Sequence, residues 1–456
     1  MRISRPKSDG SFLKIFEFIL YVLIAVGGLY LSYFIRFGSH PPLINLIPFY
    51  QNIPYIVLTS AVIFYIFNIT STAKKSLYEN VIIIVASLFL IDTLTLAIMF
   101  LSRGFSFPRS IFIIGFITQC VFILITKILI LSIIKRTKKQ QKILIIAPGE
   151  NSNLLADSFT RDTGENHIEY ALGSVNNNTY YLIDYVDKVY VDSNIPYNDK
   201  LDLIKYCSVK DKVIYIVPGL LEIAMMNSKT KNHGDVLLLK VEPLGLSFEQ
   251  RVMKRVMDVV LSAIGLILTS PLFLIIALMI KLEDRGPVFY RQKRITENNR
   301  IFEIYKFRTM VVDAEKYTGP VLAMENDPRI LKVGRFLRAT RLDELPQLIN
   351  VLKGEMSIVG PRPERPHFVE QFNEEIEEFK YRVLVKAGIT GLAQILGRYT
   401  TKPDNKAKYD LLYIRNYSLL LDIRIMINTL KILFCKDKSA GVRDEDKGIK
   451  LPGVRS

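Results

Sequence analysis

The sequence predicts a membrane-associated α/β protein in three parts. These are four N-terminal transmembrane helices, a small Rossmann-like module with a parallel sheet, and a mainly helical basic domain carrying a re-entrant helix. Three observations predict it. Four apolar runs reach the roughly 20 residues that a spanning helix needs. The segment after them alternates short apolar strands with helical stretches, the pattern of a parallel α/β sheet. A fifth apolar run then has Ser270-Pro271 at its middle and basic residues on both flanks. The expected boundaries are 1–141, 142–245 and 246–456, with the re-entrant helix at 256–282.

Half of the 456 residues are apolar and mean hydropathy is +0.23, which excludes an ordinary soluble protein. The net charge of +16 is uneven: +11 over Met1–Lys142, −6 over Ile143–Gln250 and +11 over Arg251–Ser456. An acidic module therefore lies between two basic, membrane-associated parts. Basic flanks suit an anionic inner leaflet and anionic substrates, although positive-inside topology alone accounts for most of the N-terminal excess. Cys120, Cys207 and Cys435 are far apart and form neither a disulfide framework nor a metal pattern. His40, His167, His233 and His367 have no zinc spacing.

The four spans lie near Phe12–Phe34, Ile53–Ile69, Val81–Leu101 and Ile111–Ile134. Arg2, Arg5 and Lys7 precede the first like the start of a signal peptide, but its length and the three spans that follow argue for an uncleaved helix. Lys74-Lys75 and Lys135–Lys139 mark the second connection and the exit of the fourth span. The positive-inside bias thus places the N-terminus, the middle loop and everything after Lys135 on the cytoplasmic side of the membrane.

The fifth run, Val259–Ile280, is long enough to span. Pro271 removes a helix donor and crowds the preceding turn, so a bend is expected. Arg251, Lys254 and Arg255 stand before it, and Lys281, Arg285, Arg291, Lys293 and Arg294 after it. A span should show charge asymmetry, and this run does not. The expectation is a helix–break–helix that enters one leaflet and returns; a kinked fifth span is the alternative.

In the middle module, Lys142–Ala147, Val186–Val191, Lys212–Val217 and Asp235–Val241 read as strands. Stretches around Leu154–Phe159 and Leu201–Cys207, and one after Gly219, read as helices. Where a dinucleotide fold carries G-x-G-x-x-G, this chain has Pro148-Gly149-Glu150-Asn151. The glycines for close phosphate approach are missing and Glu150 would repel a pyrophosphate, so a regulatory or scaffolding role is expected.

Beyond the fifth run, Gly286–Gln292 and Phe302–Phe307 read as strands, the second delivering Lys306 and Arg308. Asp313-Ala314-Glu315 and a turn over 325–329 follow. Arg335, Arg338 and Arg341 lead into Asp343-Glu344, then a helix to a C-cap at Gly354. Gly360-Pro361-Arg362-Pro363 forms a rigid turn holding one Arg. Arg clamps phosphate through planar, charge-assisted bonds. Paired carboxylates can hold Mg²⁺ together with substrate phosphates, and an Asp can itself attack phosphorus. Asp343 ahead of Leu345-Pro346 equally fits a helix N-cap, with Glu344 complementing the dipole. From Tyr409 to Phe434 the chain reads as helical, with Ile423, Ile427, Leu430 and Phe434 on one face, suited to the bilayer surface or to an ordinary core.

From about Arg251 to Val442 the chain closely resembles the bacterial sugar transferases, the monotopic polyprenyl-phosphate hexose-1-phosphate transferases. The matching motifs are Lys254-Arg255 with Asp258, Ser270-Pro271, Gly286–Gln292, Lys306–Met310, Arg341–Gln347, Gly354–Pro363 and Gly388–Gln394, in one order. The four spans and the α/β module resemble, more weakly, the N-terminal half of long family members that initiate capsule, exopolysaccharide or O-antigen repeats. The resemblance implies transfer of a hexose 1-phosphate from a UDP-sugar, glucose or galactose, to undecaprenyl phosphate with release of UMP. It implies Asp343 as nucleophile, Glu344 as its partner on the Mg²⁺ side, and Lys306, Arg308, Arg338 and Arg341 around phosphate. It further implies Arg362 on the nucleotide side, Ser270-Pro271 as the membrane break and Arg255 as an anchor near lipid headgroups. Asp410 matches another recurrent acidic position. A homodimer is compatible with these surfaces, and no nucleic-acid partner is expected. The rival classes are a polytopic glycosyltransferase releasing UDP and a non-enzymatic membrane scaffold or sensor.

Overall fold

The computed structural model describes residues 11–70, 77–101, 108–137, 141–149, 151–152, 155–156, 166–312, 327, 329–397 and 401–434. Lys74-Lys75, Lys138-Lys139, Glu150, most of Leu154–Phe159, Asp313–Glu315, Glu325-Asn326 and Cys435 lie outside the described residues. The chain divides into two compact units, Met1–Val217 and Pro218–Ser456.

The first unit opens with α1 (Ser11–Phe37), α2 (Leu43–Phe67), α3 (Leu77–Leu101) and α4 (Arg109–Thr137). Each is long and apolar enough to cross a membrane. α1 packs on α2 and α4, and α3 packs on the same two helices. Leu29, Tyr33, Phe49, Ile56, Met99 and Ile111 form the buried core between them, while Phe12, Leu23, Phe89, Phe100 and Ile113 face outward. The second helix begins ten residues before the expected Ile53, because Pro48, Asn52 and Pro54 interrupt the apolar pattern without ending the helix. Asn52 Nδ2 donates to the Pro48 carbonyl at 2.7 Å, so the polar side chain is satisfied within its own helix.

After α4, strands β1 (Gln141–Ile146), β2 (Asn166–Leu172), β3 (Lys188–Val191) and β4 (Val213–Ile216) form one parallel sheet in the order β2-β1-β3-β4. Residues Ile143–Ala147 are fully buried, as a central parallel strand requires. Helices α5 (Asn177–Asp184) and α6 (Tyr197–Val209) connect the strands. Asn176 caps α5 reciprocally with Thr179.

The second unit begins with α7 (Leu220–Met225), whose Ile223 is buried with Val359, Leu411, Ile414 and Ile425. Next come β5 (Lys229–His233) and β6 (Val236–Lys240). The strand expected at Asp235–Val241 is β6, but it pairs antiparallel with β5 and is not part of the parallel sheet. The cause is local: Gly234, at φ +61°, makes a two-residue turn with Asp235 and folds the chain back at once.

Helix α8 runs from Phe248 to Glu283, opened by a capping box between Ser247 and Gln250. The break expected at Ser270-Pro271 is not an interruption, since Pro271 lies inside one helix. Pro271 deprives the Ile267 carbonyl of its helical donor, and Ser270 Oγ supplies a substitute at 2.8 Å. A hairpin of β7 (Phe289–Ile295) and β8 (Ile301–Phe307) follows, with Tyr290 opposite Lys306. The remainder is mainly helical, as expected. It comprises α9 (Lys332–Thr340), α10 (Gln347–Lys353), α11 (Pro366–Glu375), α12 (Leu392–Leu396), α13 (Pro403–Arg415) and α14 (Leu419–Phe434). Short parallel strands β9 (Ser357–Val359) and β10 (Gly388–Thr390) sit among them.

Candidate active site

Helix α9 stops at Arg341, which takes the left-handed conformation at φ 58°. A single 3₁₀ turn, Leu342–Glu344, carries the two carboxylates before α10 starts at Gln347. Leu342 and Leu345 pack against Ile276 and Ile280 of α8, Phe307 of β8 and Leu337 of α9. These two leucines pin the turn from below, so both carboxylates are held on a rigid platform. Asp343 is not a helix cap: α10 begins after Pro346 and no side chain caps it. The αL stop at Arg341 sets the turn apart as its own element.

Asp343 is 9% exposed, and its Oδ1 is buried without a hydrogen-bond partner. Burial raises its carboxyl above the ordinary value; Lys306, Arg338 and Arg341 oppose this, and Glu344 adds to it. Burial acts on Glu344 in the same sense, but Lys306, Arg362 and Arg341 outweigh it and hold its carboxyl at about 2. Lys306 Nζ sits 2.9 Å from Glu344 Oε1. Adjacent carboxylates have thus been driven apart, one firmly ionised and one desolvated with a free oxygen. A pair divided in this way can supply two different chemical roles.

Lys306, Glu344 and Arg362 line one pocket, together with Arg294, Gln347 and Gly388. Arg362 is presented by a loop whose backbone is fixed from several sides. Gly360 N donates to the Thr390 carbonyl and Gly388 N to the Pro361 carbonyl, each at 2.8 Å. A side chain at either glycine would strike the opposing backbone. Arg294 Nη1 donates to the Pro363 carbonyl at 3.0 Å, and Arg382 Nη2 to the Arg362 carbonyl at 3.1 Å. Asp410 holds Arg382 through a buried 2.6 Å contact, which gives this acidic position a concrete task in the loop. Arg338 Nε donates to Thr309 Oγ1 at 2.9 Å beside the turn.

Arg308, expected around phosphate, lies elsewhere, and the expected anchor and membrane-break residues are also outside the pocket. Arg308 is buried, with Nη1 2.7 Å from Asp284 Oδ2 and Nη2 bonded to the Asp284 carbonyl. It ties the end of α8 to β8 and does not line the pocket. Arg255 donates to the Val351 and Leu352 carbonyls at 2.6 and 2.7 Å. It satisfies the orphan carbonyls at the C-terminus of α10, next to Gly354 at φ +84°. Ser270 and Pro271 stay in the apolar part of α8. Arg255→Ala is expected to cost about 2 kcal/mol, because two charge-assisted bonds to carbonyls are lost together. Arg255→Lys should recover only part, since it lacks the fork. Thermal melting of the membrane-reconstituted chain checks this; unchanged melting of Arg255→Ala would contradict it.

Sequence reasoning missed Asn350, Arg294 and Asp284. Asn350 is fully buried and staples α10 to β8: its Nδ2 donates to the Glu303 carbonyl and its Oδ1 accepts from Tyr305 N. A polar residue inside the apolar run Leu348–Leu352 was the available signal. The first half of α8 is fastened to the same domain. Lys254 pairs with buried Asp422 at 2.6 Å, and Asp258 accepts from Ser357 Oγ and Ile358 N.

Residues 249–436 match the family model described as "Bacterial sugar transferase". Among curated relatives, a UDP-N-acetylgalactosamine-undecaprenyl-phosphate N-acetylgalactosaminephosphotransferase of Aeromonas hydrophila is 45% identical over 183 residues, 40% of this chain and 43% of the relative. A UDP-glucose:undecaprenyl-phosphate glucose-1-phosphate transferase of Klebsiella pneumoniae is 41% identical over 223 residues, 48% of each. A putative undecaprenyl-phosphate N-acetylgalactosaminyl 1-phosphate transferase of Bacillus subtilis is 49% identical over 130 residues, 28% of this chain and 72% of the relative. The chain thus spans under half the length of the first two and most of the third.

Proposed function

Because the chain belongs to the bacterial sugar transferase family, we propose that it moves a hexose 1-phosphate from a UDP-sugar to undecaprenyl phosphate, releasing UMP, as the first step in building a surface polysaccharide. The observation that carries this reading is Asp343 Oδ1, buried and unpartnered beside the Lys306–Glu344 pair. A desolvated carboxylate oxygen without a donor is poised to attack, and the surrounding cations keep anionic phosphate attractive to the site.

In the first step an Asp343 oxygen attacks the β-phosphorus. The Asp–phosphorus bond forms as the bond to the α-phosphate oxygen breaks, and UMP departs with that electron pair. In the second step a phosphate oxygen of the lipid attacks the same phosphorus and Asp343 leaves as carboxylate. No proton transfer is needed to balance either step. Lys306 and Arg338 sit near the transferred phosphate, and Arg362, on its braced loop, faces the nucleotide side.

Mg²⁺ fits this donor set. Asp343 has an oxygen without a partner and Glu344 supplies a second carboxylate. No group of three or more acidic, His or Cys residues poised for a metal occurs among the described residues. One or two carboxylates completed by substrate phosphates is the usual Mg²⁺ arrangement. Bound there, the ion would neutralise diphosphate charge.

The re-entrant reading of α8 is supported by its attachments. Near its start Lys254, Arg255 and Asp258 bond the soluble domain. At its end Glu283 accepts from Lys332 N and Val333 N, and Asp284 holds Arg308. The apolar residues between, including Ile264, Ile267, Leu268 and Leu274, are exposed. A spanning helix would place these two anchorages on opposite sides of a bilayer, yet both belong to one compact unit. With the positive-inside bias, that unit faces the cytoplasm. Cysteines introduced at Lys142 and Lys293 are expected to label from the same side; opposite sides would mean that α8 spans. The function is tested by supplying undecaprenyl phosphate with UDP-glucose, UDP-galactose or UDP-N-acetylgalactosamine. UMP is the expected nucleotide product, and UDP would place the chain with glycosyltransferases that move the sugar alone.

A further inference from the structure

The membrane bundle contains a buried charge that the transfer reaction does not use. On α3 the stripe Ile84, Leu88, Ile91, Asp92, Thr95 and Met99 is buried, and its helical spacing turns Asp92 and Thr95 into the bundle. Asp92 lies nine residues and Thr95 six residues from the C-terminal end of α3. Asp92 is 7% exposed, and neither of its carboxylate oxygens has a hydrogen-bond partner among the described residues. Thr95 Oγ1, equally enclosed, also lacks one. Gln119 of α4 is fully buried and approaches Asp92. Its Nε2 is bonded to the Ala25 carbonyl of α1 at 2.7 Å, which leaves Oε1 without a partner. That orientation is built into the packing: a Cβ at Gly28 would lie 2.6 Å from Gln119 Cγ, so only glycine leaves room.

Glu17, the other acid buried in the bundle among the described residues, differs. It is paired with Lys127 at 2.8 Å and accepts from Tyr21 OH, so that cluster is neutral. Asp92 forms no ion pair among the described residues. An unpaired carboxylate at this depth is costly, and such residues mark ion or proton sites. Asp92 and Thr95 share one face of α3 and Gln119 reaches Asp92 from α4, so two carboxylate oxygens, one hydroxyl and one amide oxygen are enclosed in the same part of the bundle. All are hard oxygen donors, the set that suits small hard cations. One carboxylate is balanced by a single positive charge, whereas a divalent ion would leave excess charge in hydrocarbon.

We propose that Asp92, Thr95 and Gln119 form a buried site for a small monovalent cation, sodium, inside the four-helix membrane bundle. The site is independent of phosphosugar transfer, so its test does not read enzyme activity. The full-length chain, reconstituted in lipid nanodiscs at fixed pH, would be titrated with sodium, potassium or choline while retained radioactive sodium and thermal melting are followed. Wild type is expected to retain about one sodium per chain and to melt progressively higher with the logarithm of sodium concentration, as for any ligand that binds only the folded state. Choline should give no such rise. Asp92→Asn should weaken sodium binding by at least about tenfold and flatten the melting response, and Thr95→Val should weaken it in the same direction. No retained sodium, with equal melting of wild type in sodium and choline, would overturn the proposal. In that event Asp92→Asn melting at or above wild type would identify a proton on Asp92 as the resident charge.

Discussion

Asp343→Asn should abolish phosphosugar transfer, by on the order of 10³-fold or more, while the protein inserts and folds normally. The magnitude follows from losing the nucleophile of a covalent route, a loss the remaining cations and binding contacts do not replace. A purely structural carboxylate would behave differently in stability. Burial raises the Asp343 carboxyl, so its folded-state value lies above that of the unfolded chain. For such a group the stabilising contribution is complete below the unfolded pKa, roughly 3.9, and disappears as pH rises through the raised folded value. At neutral pH the ionised Asp343 is therefore a net burden on the fold. Asp343→Asn removes that burden and should melt higher than wild type, by roughly 2–4 °C for about 1 kcal/mol in a domain of this size. An inactive variant that is also more stable is the signature of a residue kept for chemistry. Substantial transfer by Asp343→Asn or Asp343→Ala would remove Asp343 from the nucleophile's role.

Lys306→Met should have the next largest effect, and on both properties. Lys306 forms a 2.9 Å ion pair with Glu344, and both side chains are mostly enclosed. Breaking a pair of this kind leaves a carboxylate that only Arg362 and Arg341 still compensate, worth about 2 kcal/mol after allowance for their partial exposure. Transfer should fall by on the order of 10²–10³-fold, since a cation aimed at developing phosphate charge is lost. The acid profile gives a separate readout. Glu344 is held at about 2, against roughly 4.3 in an unfolded chain. Its contribution to stability is therefore present above about pH 4.3 and is lost as pH falls toward about 2. Without Lys306 the Glu344 carboxyl rises, so wild type should lose more stability than the variant across that window. Melting of both proteins from pH 6 downward measures this; parallel profiles would show that Lys306 does not hold Glu344 ionised.

The membrane helices were legible because a long apolar run has few alternatives in any fold. The start of α2 was not, because Pro48 and Asn52 look like punctuation until the Asn52 side chain is seen to bond the Pro48 carbonyl. The Asp343-Glu344 pair was visible in the motif, but its capping role was not borne out. The αL residue Arg341 separates it from α9 and Leu345-Pro346 from α10, and the turn between is packed through Leu342 and Leu345. Among the arginines, residue type alone could not separate open positions from committed ones. Arg308 is claimed by Asp284 and Arg255 by the end of α10, both through contacts distant in sequence. Asn350 was hidden for the opposite reason, since its apolar neighbours disguise a polar staple between α10 and β8. Sequence patterns report the local preference of each segment. They are silent on which buried groups meet.

The central claim is that the phosphate travels with the sugar and rests on Asp343 on the way. Incubating the reconstituted chain with a UDP-sugar radiolabelled at the β-phosphate, without lipid acceptor, and mapping the labelled peptide tests this most directly. The label should appear on the peptide containing Asp343, be absent from Asp343→Asn, and chase into lipid when undecaprenyl phosphate is added. Label on another residue, or transfer to lipid with no labelled protein at any time, would contradict the account.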